Sequence, residues 1–148
     1  MPPRTLKTSK KSRTLDARPD RVDLRDRPYM PPLRSLPPQW PTEDRIKKYL
    51  PPYEKFVLDQ GEDGACTGFG LAALINYVRF AQSVEAGTDA PERVSTRMLY
   101  HLARKYDEWP GEDYEGSSCR GAMKGWFHHG VCSESLWPYT DKRASSAL

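Results

Sequence analysis

The chain has 148 residues, of which 37% are hydrophobic and 11% aromatic, enough for one small domain with a single core. Its net charge of +3 conceals an asymmetry: residues 1–27 hold nine Lys or Arg against four Asp, while the remainder holds 14 basic and 16 acidic residues. A basic tail ahead of a near-neutral body does not read as a nucleic-acid-binding domain, and no apolar run is long enough to span a bilayer.

The N-terminus is basic but lacks the apolar core of a secretory signal, so a cytoplasmic location is expected. Residues 1–19 read as a disordered basic tail. Arg4, Lys7, Lys10, Lys11 and Arg13 suit either a solvated tail or an anchor for RNA or acidic lipid, and the solvated tail is the reading adopted. Val22-Asp23-Leu24-Arg25 is a short ordered segment. Residues 28–53 carry eight prolines and are expected to be extended, apart from a helical turn at Glu43–Tyr49. Leu33, Leu36, Trp40 and Tyr53 would let this stretch lie along a folded surface.

Beyond it Phe56-Val57-Leu58 is strand-like and runs into the glycine-punctuated turn Asp59-Gln60-Gly61-Glu62-Asp63-Gly64. From Cys66 to about Gln82 the sequence predicts a helix so apolar around its circumference that it should be central and buried. Ser95 caps a second predicted helix to about Tyr106, with Met98, Leu99 and Leu102 on one face. Ser117 or Ser118 caps a third, carrying Ala122, Met123, Trp126 and Phe127 and stopped by Gly130. An extended exit segment, Val131 to Tyr139, follows.

The three cysteines, Cys66, Cys119 and Cys132, are an odd count without close pairs, which argues against a disulfide framework and a tetrahedral zinc site. Read on one helix, Cys119 and Cys132 would lie about 20 Å apart, too far for a disulfide. The sequence calls for neither metal nor cofactor.

A thiol in the first turn of a buried helix sits at the positive end of the macrodipole, which favours the nucleophilic thiolate. The glycines before Cys66 permit a tight turn that presents the sulfur at the helix tip. The backbone N–H of Cys66 has no intrahelical partner there and can meet a developing oxyanion. The carboxamide of Gln60 is a second donor, and the three groups together would make an acyl-transfer site. On this context alone Cys66 reads equally as a nucleophile or as a small buried hydrophobe.

The segment resembles the active-site motif of papain-like cysteine peptidases (peptidase C1), in which a Gln-Gly pair precedes the nucleophile by six and five residues. It is most similar to the bacterial and archaeal branch, whose pattern is Asp-Gln-Gly-x-x-Gly-Ser-Cys-Thr. Asp59-Gln60-Gly61 and Gly64-Ala65-Cys66-Thr67 match, with Ala65 in place of the usual Ser. The resemblance implies Cys66 as nucleophile and Gln60 as oxyanion-hole amide. Plant and animal relatives carry a cysteine where Asp63 stands and a tryptophan where Thr67 stands; lacking that disulfide half fits a reducing compartment. Ser95–Tyr100 with Ala103-Arg104 resembles the family's second helix. Glu115–Ala122 and Gly130–Tyr139 resemble the third helix and its exit, and Val22–Arg25 the opening of the mature domain.

The implied fold class is α+β papain-like, with residues 20–140 as the helical N-terminal lobe, a proline-rich insertion at 28–53, and residues 141–148 as the start of a β-rich C-terminal lobe that is missing. Gly64, Ala65, Ser118 and Cys119 are implied as substrate-binding residues, with Ser118, Cys119 and Arg120 in the helical wall of the substrate pocket. A papain-like site also needs an imidazole and an Asn, typically about 130–150 positions after the cysteine. His101, His128 and His129 fall instead on the second and third predicted helices, and the latter two read as surface residues. The catalytic histidine is therefore expected from a C-terminal papain-like lobe, in cis or in trans. The expected partners are that lobe and a peptide or protein substrate, with no nucleic acid and no membrane. A non-catalytic binding or inhibitor module is the alternative; a pure binding role needs neither Gln60 nor Cys66.

Overall fold

A computed structural model of the chain describes residues 17–33, 39–51, 56–109 and 114–140. In chain order they form β1 (Ala17–Arg18), α1 (Glu43–Lys48), α2 (Cys66–Ala86), α3 (Thr96–Lys105), β2 (Ser117–Ser118) and α4 (Cys119–His129). The described residues are mostly helical, with one two-stranded parallel sheet in which Ala17 faces Ser117 and Arg18 faces Ser118.

Each long helix begins or ends on a device visible in the sequence. Ser95 caps α3 by accepting the Met98 N–H at 3.0 Å, and Ser118 caps α4 by accepting that of Gly121 at 3.1 Å. Gly87 (φ 66°, ψ 30°) ends α2 in the left-handed helical conformation, and Gly130 (φ 67°, ψ −153°) ends α4 at a positive φ with extended ψ; glycine adopts both without a Cβ penalty. α2 outruns its expected end at Gln82 by a turn, because nothing before Gly87 breaks it.

The helices cross closely where glycine removes the side chain. A Cβ on Gly68 of α2 would lie 2.7 Å from the Tyr100 N of α3, and one on Gly125 of α4 would lie 2.7 Å from the Leu102 Cβ. α3 therefore sits between its two neighbours. Leu71, Ala72, Ile75, Val94, Leu99, Ala103 and Ala122 fill the space among the three, with Leu58, Trp126 and Val131 packed against them. A second cluster of Ala65, Phe69 and Tyr100 lies beneath the start of α2.

Several expectations are corrected. Ala17 and Arg18, assigned above to a disordered tail, are ordered as β1; their pairing partner is a hundred residues away and leaves no local signal. Residues 1–16 lie outside the described residues, as do Leu36 and Tyr53. Phe56–Leu58 is not a strand; Phe56 packs edge-on against Phe80, centroids 5.2 Å apart. Leu33 and Trp40 do not lie along the surface but are fully exposed, at 106% and 93%. Cys132 lies beyond α4 rather than on it, and all three cysteines are free. Finally, α2 is buried on one side only: Leu74, Tyr77 and Val78 are about half exposed, at 57%, 43% and 45%.

Candidate active site

Cys66 is the first residue of α2 and is partly exposed. It lines an apolar cavity of about 310 Å³ between α2 and α4, together with Thr67, Gly70, Leu71 and Leu74 of α2 and Cys119, Ala122 and Met123 of α4. Ala17 of β1 closes one side. The ends of the two helices are tied by the Thr67 and Ser117 hydroxyls, 2.5 Å apart and buried.

The turn before Cys66 is closed on itself. Gln60, only 8% exposed, donates from Nε2 to the Asp63 carbonyl at 2.9 Å. The Gly61 N–H meets Asp59 Oδ1 at 3.0 Å, and the Ala65 N–H meets the Asp63 carbonyl at 2.8 Å. Gly61 has a φ of 64°, a left-handed turn residue for which glycine carries no steric cost. The chain is thereby delivered to Ala65, the helix cap, whose side chain makes no capping bond. The first N–H groups of α2 thus meet no side-chain acceptor from that residue.

The structure separates the residues that the resemblance placed on the substrate wall. Cys119 is exposed and lines the cavity with Cys66. Ser118 does not: it is fully buried, its hydroxyl caps α4, and its N–H donates to Asp107 Oδ1 at 2.8 Å. Burial opposes the charged form of Asp107, but hydrogen bonds from Tyr114 and Ser118 outweigh it and hold the carboxyl below its ordinary range. Gly64 and Ala65 are buried behind Cys66. Arg120 turns away to bind Asp26 of the N-terminal segment at 2.6 Å, and Glu108, just after α3, at 3.0 Å.

None of the three histidines lines the cavity of Cys66. His101 stacks obliquely on Trp137 at 5.5 Å, and His128 and His129 both lie against Tyr106; all three are exposed. Among the described residues no cluster of His, Cys, Asp or Glu could hold a metal ion, and no helix is long and apolar enough to cross a membrane. Sequence reasoning gave no site role to Tyr139, the end of the exit segment. It is half-buried, its ring edge-on to Phe69 at 4.8 Å, and its hydroxyl donates to Asp63 Oδ2 at 2.6 Å.

The fold has a counterpart among solved structures. The chain is similar to the crystal structure of xylellain, a cysteine protease from Xylella fastidiosa, with a TM-score of 0.56 and 28% sequence identity. The match covers 86% of this chain and 45% of that one. This chain is structurally similar to a cysteine protease. It spans about half the length of that protein, and its mostly helical make-up accords with one lobe of it. No family model matches the chain, and a search of curated proteins finds no match.

Proposed function

We propose that this chain is the nucleophile-bearing helical lobe of a papain-like cysteine peptidase, acting on peptide or protein substrates. The observation that carries the reading is Cys66 as the first residue of α2, open to an apolar cavity and preceded by a turn that holds the Gln60 amide. In this reading the Cys66 thiolate attacks the scissile carbonyl carbon, and the carbonyl electron pair moves onto oxygen. The Cys66 N–H and the Gln60 side chain stabilise that oxyanion. The leaving amine takes its proton from an imidazole, and water then releases the acyl group from sulfur. The three histidines of this chain stand elsewhere, so the imidazole and its orienting Asn come from a C-terminal lobe, in the same polypeptide or another. That lobe would cover the exposed apolar side of α2 at Leu74, Tyr77 and Val78, beside the nucleophile.

Brief treatment of the 148-residue chain with iodoacetamide across pH 5–9, followed by peptide mass mapping, tests the assignment. Cys66 should be modified ahead of Cys119 and Cys132, although Cys119 is the more exposed thiol. Faster reaction at Cys119 would remove Cys66 from the role.

A further inference from the structure

Asp63 is a carboxylate only 6% exposed, in the turn that leads to Cys66, and Tyr139 reaches it from 76 residues away. We propose that Tyr139 and Asp63 are positioning residues: they lock the Gln60–Cys66 turn and so fix the direction of the Gln60 amide. This deepens the peptidase reading and rests on it.

The brace is made at four points. The Tyr139 hydroxyl donates to Asp63 Oδ2 at 2.6 Å and lies 3.2 Å from the Gln60 carbonyl oxygen. The phenol thus gives its single proton to Asp63 while resting beside the Gln60 carbonyl, and the Gln60 side chain spans the same gap from within, Nε2 to Asp63 carbonyl, at 2.9 Å. The Tyr139 ring is pinned edge-on to Phe69 of α2. Its N–H donates to Glu134 Oε1 at 2.8 Å, and the other oxygen of Glu134 accepts the Thr96 N–H at the start of α3, at 3.0 Å. The phenol is thus fixed to both α2 and α3 before it touches the turn.

The chemistry suits positioning. A buried carboxylate is costly unless hydrogen-bonded, and a phenol donor to an ionised acceptor gives one of the stronger bonds available without a second charge. A carboxamide on three rotatable bonds is a useful oxyanion donor only if its direction is set before the charge develops. One N–H of the Gln60 amide is committed to the Asp63 carbonyl, so whatever fixes Asp63 also aims the other.

The test compares two reactions of Cys66 in the 148-residue chain. With acetyl-Phe-glycinal the thiol adds across the C=O: the C–S bond forms, the carbonyl π bond breaks, and the thiol proton ends on the new hydroxyl, which occupies the oxyanion position. With iodoacetamide the thiolate displaces iodide and no oxyanion forms. Gln60→Ala should weaken the aldehyde about 100-fold, the loss expected of one oxyanion donor, and Tyr139→Phe about tenfold through misdirection of the same donor. Iodoacetamide rates and the thermal midpoint of Tyr139→Phe should stay near wild type, and Asp63→Asn, which keeps an acceptor for the phenol, should bind the aldehyde better than Asp63→Ala. Aldehyde affinity lost with Gln60→Ala but unchanged with Tyr139→Phe and Asp63→Ala overturns the positioning role and leaves the peptidase reading standing. Equal losses in both reactions, or a fallen thermal midpoint, would make Tyr139 a structural brace only and also overturn it. If Gln60→Ala itself has no effect, the oxyanion assignment falls, and this inference with it.

Discussion

The three-helix core and the N-terminal segment that lies across it are held by opposite means. Between α2, α3 and α4 the contacts are apolar and close, with Leu99 fully buried and glycine at the crossings. Residues 17–26 bury little: Val22 and Leu24 are more than nine-tenths exposed. That segment is fastened by the β1–β2 pairing, by the guanidinium of Arg120 on Asp26, and by the Arg120 N–H on Asp20 at 2.8 Å. The Arg21 guanidinium also lies 4.3 Å from the centroid of the Trp109 ring. The core should therefore respond to volume and ignore salt, while the segment beside the Cys66 cavity should respond to charge and be detachable without unfolding.

The largest effect should come from Leu99→Ala, which empties a fully enclosed site and costs about 3 kcal/mol; thermal or urea unfolding measures it, and a loss below about 1 kcal/mol would mean that the core is not packed around α3. Gly68→Ala comes next, at about 2 kcal/mol, because its Cβ would meet backbone atoms of Tyr100 that cannot swing aside. Ser118→Ala should cost about 1 kcal/mol through the lost α4 cap. It should leave iodoacetamide labelling of Cys66 unchanged, since the hydroxyl does not face the cavity.

The segment is probed by Arg120→Gln. Trypsin should then cut after Arg21 and Arg25 several times faster while the unfolding midpoint moves little; equal cutting rates would show that the strand pairing alone holds residues 17–26. The smallest effect concerns pH. The hydrogen bond from Arg120 holds the Asp26 carboxyl below its ordinary value. A group with a depressed folded-state value stabilises above its unfolded value, about 3.9, and loses that contribution as pH falls through the lower one. Tryptic sensitivity at Arg21, read after brief acid exposure, should thus be flat from pH 7 to about 4 and rise only in stronger acid. A rise near pH 6 would break the assignment.

Much of the helical framework could be read from local signals. Ser95, Ser118, Gly87 and Gly130 mark helix ends by chemistry that involves only a few neighbouring residues, and the glycine-punctuated turn into Cys66 placed that residue at a helix start before any geometry was known. The same reading misplaced Ser118 as a substrate contact, because a capping hydroxyl and a wall hydroxyl look alike until its direction is known. It also gave Tyr139 no role at the turn, since a phenol's acceptor 76 residues earlier has no sequence signature.

What the sequence determined by itself was the set of helices, their caps and the residue at the tip of α2, all governed by interactions over one or two turns. The tertiary structure alone decided that Ala17 borders the Cys66 cavity, that Arg120 serves the N-terminal segment, and that one face of α2 stays open. Each depends on which distant segments meet, and that is set by the packing of the whole lobe around α3.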